Sequence, residues 1–138
     1  MKTQINPQDT SRAEAFNLWL SSPMPMVTLT KTFNVSNLLK QSKKLNISFN
    51  ALLCWCIGKA ASQIEEFYLL IEKDKLYKYD KIAINVIVNN KKGGINSCDI
   101  AFNEDLTQFV KDYTQLTQRT SQENKSNFLE DYMIIGTS

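Results

Sequence analysis

Histidine is absent from all 138 residues. Mechanisms that need an imidazole base, from a serine triad to a zinc hydrolase, are therefore excluded for this chain acting alone. Glycine (4) and proline (3) are scarce, and with 43% apolar and 22% charged residues neither a fibrous repeat nor a disordered tract fits. A run of 18 apolar residues is also lacking, which excludes an apolar membrane-spanning helix and gives no membrane partner. The opening MKTQINPQDT has no apolar core of a secretory signal, so a cytoplasmic protein is expected. Charge of one sign is not in excess either, at +2 net. The pairs Lys43-Lys44 and Lys91-Lys92 sit beside turn residues instead of tracking one face, and no nucleic acid partner is expected.

Cysteine is sparse and odd in number, three in total. Free thiols in a reducing compartment are expected. Cys54 and Cys56 are two residues apart in LCWCI, and on a helix they point about 200° away from each other. They cannot share a metal or bond to each other, and Cys98 does not complete a ligand set. No metal is expected; the thiols read as small apolar groups of a buried helix.

What is present is a mixed series of elements in a length suited to one domain. Ser11 and Glu14 have the spacing of a capping box, opening a short amphipathic helix through Phe16 and Trp19 that ends at Ser21-Ser22-Pro23. MVTLTKTFNV alternates apolar and polar residues and predicts a half-buried strand over residues 26–35 with Val27, Leu29, Phe33 and Val35 inward. Ser36 is a candidate cap for a second helix, basic toward its end at Lys40–Lys44. Asn46 or Ser48 starts a third, SFNALLCWCIGKAASQIEEF, whose first turns are apolar nearly all round, as in a helix packed between layers. Gly58 within it marks close approach by another element.

Residues 68–79 predict two short strands about Lys73-Asp74-Lys75. IAINVIVNN and GINSCDIAF predict a long hairpin whose Gly93-Gly94 supply positive φ. That glycine pair lacks the framework of a phosphate loop and reads as a turn. DLTQFVKDYTQLTQ places Leu106, Phe109, Val110, Tyr113 and Leu116 on one helical face, capped by Asn103 or Asp105. After the polar stretch TSQENKSN, FLEDYMII predicts a last strand with the profile of a central one. The fold class is α+β: a two-layer α/β sandwich with a mixed, mostly antiparallel sheet and helices packed on it.

The strings SRAEAFNLWLSSPMPMVTLTKTFNVSNL, FNALLCWCIGKAASQIEEFYLLIEKDKLYKYD, DLTQFVKDY and MIIGTS, in this order and at these distances, resemble the N-terminal two-thirds of the chloramphenicol acetyltransferase family. The resemblance implies a single domain, residues 1–138, that stops before the family's catalytic histidine segment. It also implies a trimer whose sites lie between subunits, with acetyl-coenzyme A as co-substrate and a hydroxyl of chloramphenicol or a similar small molecule as acceptor. In that family a histidine of an HHxxxDG-like motif takes the acceptor's proton, and a serine shortly after the MIIGTS-like strand steadies the oxyanion. The histidine motif has no counterpart in this sequence, and Ser138 falls a few residues early for that serine.

The resemblance carries over an acceptor-binding wall: Leu18 and Trp19 on the first helix, Pro25 and Met26 after it, and Val86, Ile95 and Ser97 on the hairpin strands. Trp19 stands where the family often has tyrosine, so a phenolic hydrogen bond to the acceptor is lost. Arg12 matches an arginine that pairs with the aspartate of the histidine motif. No catalytic residue is assigned, and the expected chain is silent alone; the alternative is a non-catalytic domain that binds a small molecule or a protein. Apolar faces left uncovered in a monomer predict a homo-oligomer, with a trimer implied by the resemblance.

Overall fold

In the computed structural model, described over residues 1–137, two three-stranded sheets, four α-helices and two 3-10 turns make up the fold. The first sheet is antiparallel throughout. It consists of β1 (Lys2–Ile5), β2 (Leu69–Glu72) and β3 (Lys75–Tyr79) in the order β1-β3-β2. The second sheet is mixed, with β4 (Ile82–Asn89) at its centre, antiparallel to β5 (Ile95–Ala101) and parallel to β6 (Met133–Gly136). The helices are α1 (Ala13–Ser21), α2 (Ser36–Leu45), α3 (Phe49–Ala61) and α4 (Leu106–Glu123).

Alternation along β4 and β5 gives the second sheet two unlike faces. Ile82, Ile84 and Val86 on β4, with Cys98 and Ile100 on β5, turn toward the helices and pack with Cys54, Ala61 and Phe109. This is the core, and it confirms Cys54 and Cys98 as packing groups. The other face carries Asn85, Ile87, Ser97 and Asp99 across the strand register. Asn85 Nδ2 donates to Ser97 Oγ and to Asp99 Oδ1, 2.6 Å each, and the Leu129 amide donates to Asp99 Oδ2 at 2.9 Å. The buried Asp99 carboxylate is thus satisfied by hydrogen bonds, as a buried charge must be.

Several local readings hold for identifiable reasons. Ser48 caps α3 through the Ala51 amide, and Asp105 caps α4 through the Gln108 amide. Gly58 lies directly under the Phe102 ring, so that a Cβ there would collide with the ring carbons. In the 90–94 turn only Gly93 takes a positive φ, of 81°, while the Asn90 carboxamide oxygen accepts the Lys92 and Gly94 amides. Lys73 and Asp74, both at positive φ, form the β2–β3 turn.

Other expectations are corrected. Residues 26–35 are not a strand: they join neither sheet, and Val27, Leu29 and Phe33 are 74%, 91% and 70% exposed. Alternation specifies which way side chains would point but supplies no partner, and a strand exists only with its partner's hydrogen bonds. The expected capping box does not form, because the Arg12 amide donates to Thr10 Oγ1 and α1 begins at Ala13 without a side-chain cap. Asn34, through its carboxamide oxygen, serves the Ser36 amide in place of a Ser36 cap. α3 ends at Ala61, where the Ser62 hydroxyl turns back to the Lys59 carbonyl, and a separate 3-10 turn covers Glu65–Tyr68. α4 extends through Glu123 into the stretch read as loop. The last strand is only four residues long and, among the described residues, lies at the sheet edge with β4 as its partner. β1 was not anticipated: KTQI is brief and polar, and its partner β3 lies over seventy residues away.

Candidate functional site

α3 presents Asn50, Leu53, Cys54 and Ile57 on one side, the i, i+3, i+4, i+7 spacing of a single helical face. That face looks across a gap to the end of the second sheet. Among the described residues β6 ends at Gly136, opposite Asn85, and none pairs with Val86 or Ile87 on that side of β4. The two features border a cleft of about 700 Å³, lined also by Gly136 and Thr137. Its walls are mainly apolar, with a few convergent polar groups, the usual constitution of a small-molecule site.

The polar groups are largely committed. The Thr137 amide and hydroxyl both donate to the Asn85 carbonyl at 2.9 Å, so neither is free to meet a developing oxyanion. Cys54 Sγ lies 3.8 Å from Thr137 Oγ1. Burial pushes the Cys54 thiol up from its ordinary value, only partly opposed by Thr137, and keeps it protonated at neutrality. Asn50, which lines the cleft, donates through Nδ2 to the Tyr113 hydroxyl at 2.8 Å. Burial also raises Tyr113, so its hydroxyl is a neutral hydrogen-bonding group.

A second, smaller cleft of about 390 Å³ lies between α1 and the first sheet, lined by Phe16, Trp19, Leu69, Ile71 and Leu76 with Arg12 at its edge. Among the described residues Arg12 makes no ion pair.

The seven wall residues expected from the sequence occupy different places. Val86 lines the larger cleft and Trp19 the smaller. Leu18 is exposed on α1, and Pro25 and Met26 are exposed in the unpaired segment after it. Ile95, 66% exposed, and Ser97 lie on the sheet face opposite the helices. Within one chain the structure does not bring these groups together. Sequence reasoning passed over Asn50, Leu53, Ile57, Ile87 and Thr137. A signal for the α3 members existed: a helix apolar on every side has one more apolar face than a single sheet covers, and here the surplus lines the cleft. Ser138 lies outside the described residues.

A sequence profile described as chloramphenicol acetyltransferase matches residues 2–137. No curated protein matches the chain. Among solved structures, one titled chloramphenicol acetyltransferase superposes with a TM-score of 0.81 at 21% identity, covering 99% of this chain and 68% of that one. At that identity the superposition establishes the two-layer α+β fold, and the profile match over nearly all of the sequence establishes descent. The chain belongs to the chloramphenicol acetyltransferase family.

Proposed function

We propose that this chain forms the acceptor-binding part of an acetyl-transfer cleft and is catalytically silent alone. It binds a small, largely apolar molecule carrying a hydroxyl, in the manner of a chloramphenicol-like acceptor, with acetyl-coenzyme A as the family's co-substrate. One observation supports this above the rest: a cleft of about 700 Å³ lined by Leu53, Ile57, Val86 and Ile87 together with Asn50. Its apolar walls suit the ring or chain of an acceptor or the acyl arm of a thioester, and Asn50 suits a polar substituent.

Silence follows from what must happen to the acceptor's proton. Attack of an alcohol on a thioester requires a group that takes that proton near neutrality, a contribution of about 10² to 10⁴ in rate. The sequence has no imidazole, the one thiol in the cleft is held protonated, and Thr137 spends both its donors on Asn85. Binding and chemistry are thereby separable in this chain.

The uncovered sheet face supports association. Ile87, Ile95 and Ile134 are exposed beside the Asn85-Ser97-Asp99 cluster. A set of apolar side chains around satisfied polar groups suits a subunit contact. Three copies meeting through this face would form the trimer.

Calorimetric titration with chloramphenicol and with acetyl-coenzyme A tests the binding. Saturable heat with at least one probe is expected, weakened about ten-fold or more by Asn50→Trp, which puts a bulky side chain at an exposed lining position. Absence of binding by both probes contradicts the reading.

A further inference from the structure

The stretch from Leu129 to Thr137 is fastened at both ends to one pair of residues, Asn85 on β4 and Asp99 on β5. At its start the Leu129 amide donates to Asp99 Oδ2 at 2.9 Å. At its end the Thr137 amide and hydroxyl each donate to the Asn85 carbonyl at 2.9 Å. The two fastening residues are themselves joined, because Asn85 Nδ2 donates to Asp99 Oδ1 at 2.6 Å. Asn127 holds the approach. Its amide donates to the Ser97 carbonyl, its carbonyl accepts the Asp99 amide, and its Nδ2 donates to the Asp99 carbonyl at 2.7 Å. β6 lies between the two fastened ends and is only four residues long. A strand that short is marginal on its ladder alone, so its end contacts decide whether the tip stays docked.

We propose that the Asn85–Asp99 pair is the positioning device for Thr137 in the larger cleft, and that the Asp99 carboxylate holds both ends of the stretch at once. The chemistry of the contacts carries this. The groups that meet the Asp99 side chain are N–H donors, one on each oxygen. A carboxylate accepts at both oxygens, whereas a carboxamide of the same shape must turn its own NH₂ toward one of the donors. Asp99 is 3% exposed and makes no ion pair among the described residues, so its charge is compensated by these donors. Hydrogen bonds to an ionised group are about twice as strong as neutral ones, which favours one anion shared between the two elements.

The consequence reaches the cleft through Asn85. Its side chain is fixed by Asp99 and Ser97, and its backbone carbonyl takes both donors of Thr137. Thr137 Oγ1 in turn lies 3.8 Å from Cys54 Sγ, a thiol that is 1% exposed. The positioning role rests on the reading of this cleft as the acceptor site, whereas the fastening is a property of the fold.

Access to Cys54 reads where the β6 tip sits. Protein of residues 1–138 carrying Cys56→Ser keeps Cys54 and Cys98 as its thiols. Cys98, next to Asp99 but packed in the helix-facing core, reports opening of the core itself. Asp99→Asn is expected to speed iodoacetamide labelling of Cys54 about ten-fold or more in native buffer while Cys98 stays protected. Combining it with Asn85→Asp rebuilds a complete set of bonds. The new carboxamide at 99 accepts from the Leu129 amide and donates to the new carboxylate at 85, which also accepts from the Ser97 hydroxyl. The exchanged pair is therefore expected to return Cys54 to the parent rate. Unchanged Cys54 labelling in Asp99→Asn, an equal rise at Cys98, or no recovery in the exchanged pair overturns the proposal. The expected labelling pattern in protein that gives no titration heat with either probe supports the fastening and contradicts the acceptor reading alone.

Discussion

Gly58 illustrates how one missing carbon sets a helix against a strand end. In an exposed helix, replacing glycine by alanine stabilises by about 1 kcal/mol, through lost chain entropy in the unfolded state and better propensity. Here the added Cβ meets the Phe102 ring, and overpacking of this sort costs about 1–3 kcal/mol. Gly58→Ala is therefore expected to lower stability in denaturant unfolding, and in a Phe102→Ala background the same change is expected to raise it by about 0.5–1 kcal/mol. A stabilising effect in both backgrounds refutes the contact. The cysteines are a second residue-scale case. Burial is the leading cause that raises the thiols of Cys54, Cys56 and Cys98, and Cys54 and Cys98 are fully enclosed. In native protein at pH 7.5, iodoacetamide is expected to spare Cys54 and Cys98 until denaturant is added, with only the half-buried Cys56 reacting slowly; mass spectrometry of the labelled peptides checks this.

At the scale of elements, β1 is the most exposed to test because it is four residues long and held from one side. Its tether is Lys2, whose ammonium donates to Glu72 Oε2 at 2.6 Å on β2, across the intervening β3, while the Tyr79 hydroxyl also donates to Glu72. The bonds from Lys2 and Tyr79 hold the Glu72 carboxyl below its ordinary range. A carboxyl lowered on folding contributes stability that is present above its unfolded pKa, about 4.3, and is lost as pH falls through the lower folded value. Glu72→Gln is thus expected to destabilise by up to about 1 kcal/mol between pH 6 and 8, the gap to wild type closing as pH falls below 4. A gap that persists at pH 3 assigns the loss to packing instead. The same scale explains what the sequence made legible. α3, α4 and the 82–101 hairpin were readable because periodicity, caps and turn residues are local properties. Residues 26–35 misled because their alternation describes a strand whose partner is not encoded nearby, and β1 was overlooked because its only reason to exist is β3. In the site, Val86 and the α3 stripe follow from local pattern. The separation of Trp19 from Val86 does not, since it depends on α1 facing the first sheet and α3 the second.

For the whole molecule, the central proposal is that residues 1–138 supply walls of an acetyl-transfer cleft and, taken alone, no proton acceptor. Residues 2–137 match the family, and the cleft between α3 and the end of β6 is apolar and open, yet the chain has no histidine. Association tests the uncovered surfaces: sedimentation at micromolar concentration is expected to show an assembly larger than the 15.8 kDa chain, reduced in size by Ile95→Lys on the exposed sheet face. A monomer for the unaltered protein contradicts that reading. The most direct measurement is thiol release from acetyl-coenzyme A with chloramphenicol as acceptor, followed at pH 7.5 with purified protein of residues 1–138. The account predicts a rate equal to the protein-free control at every protein concentration. Release that saturates with acceptor and rises in proportion to added protein would contradict it.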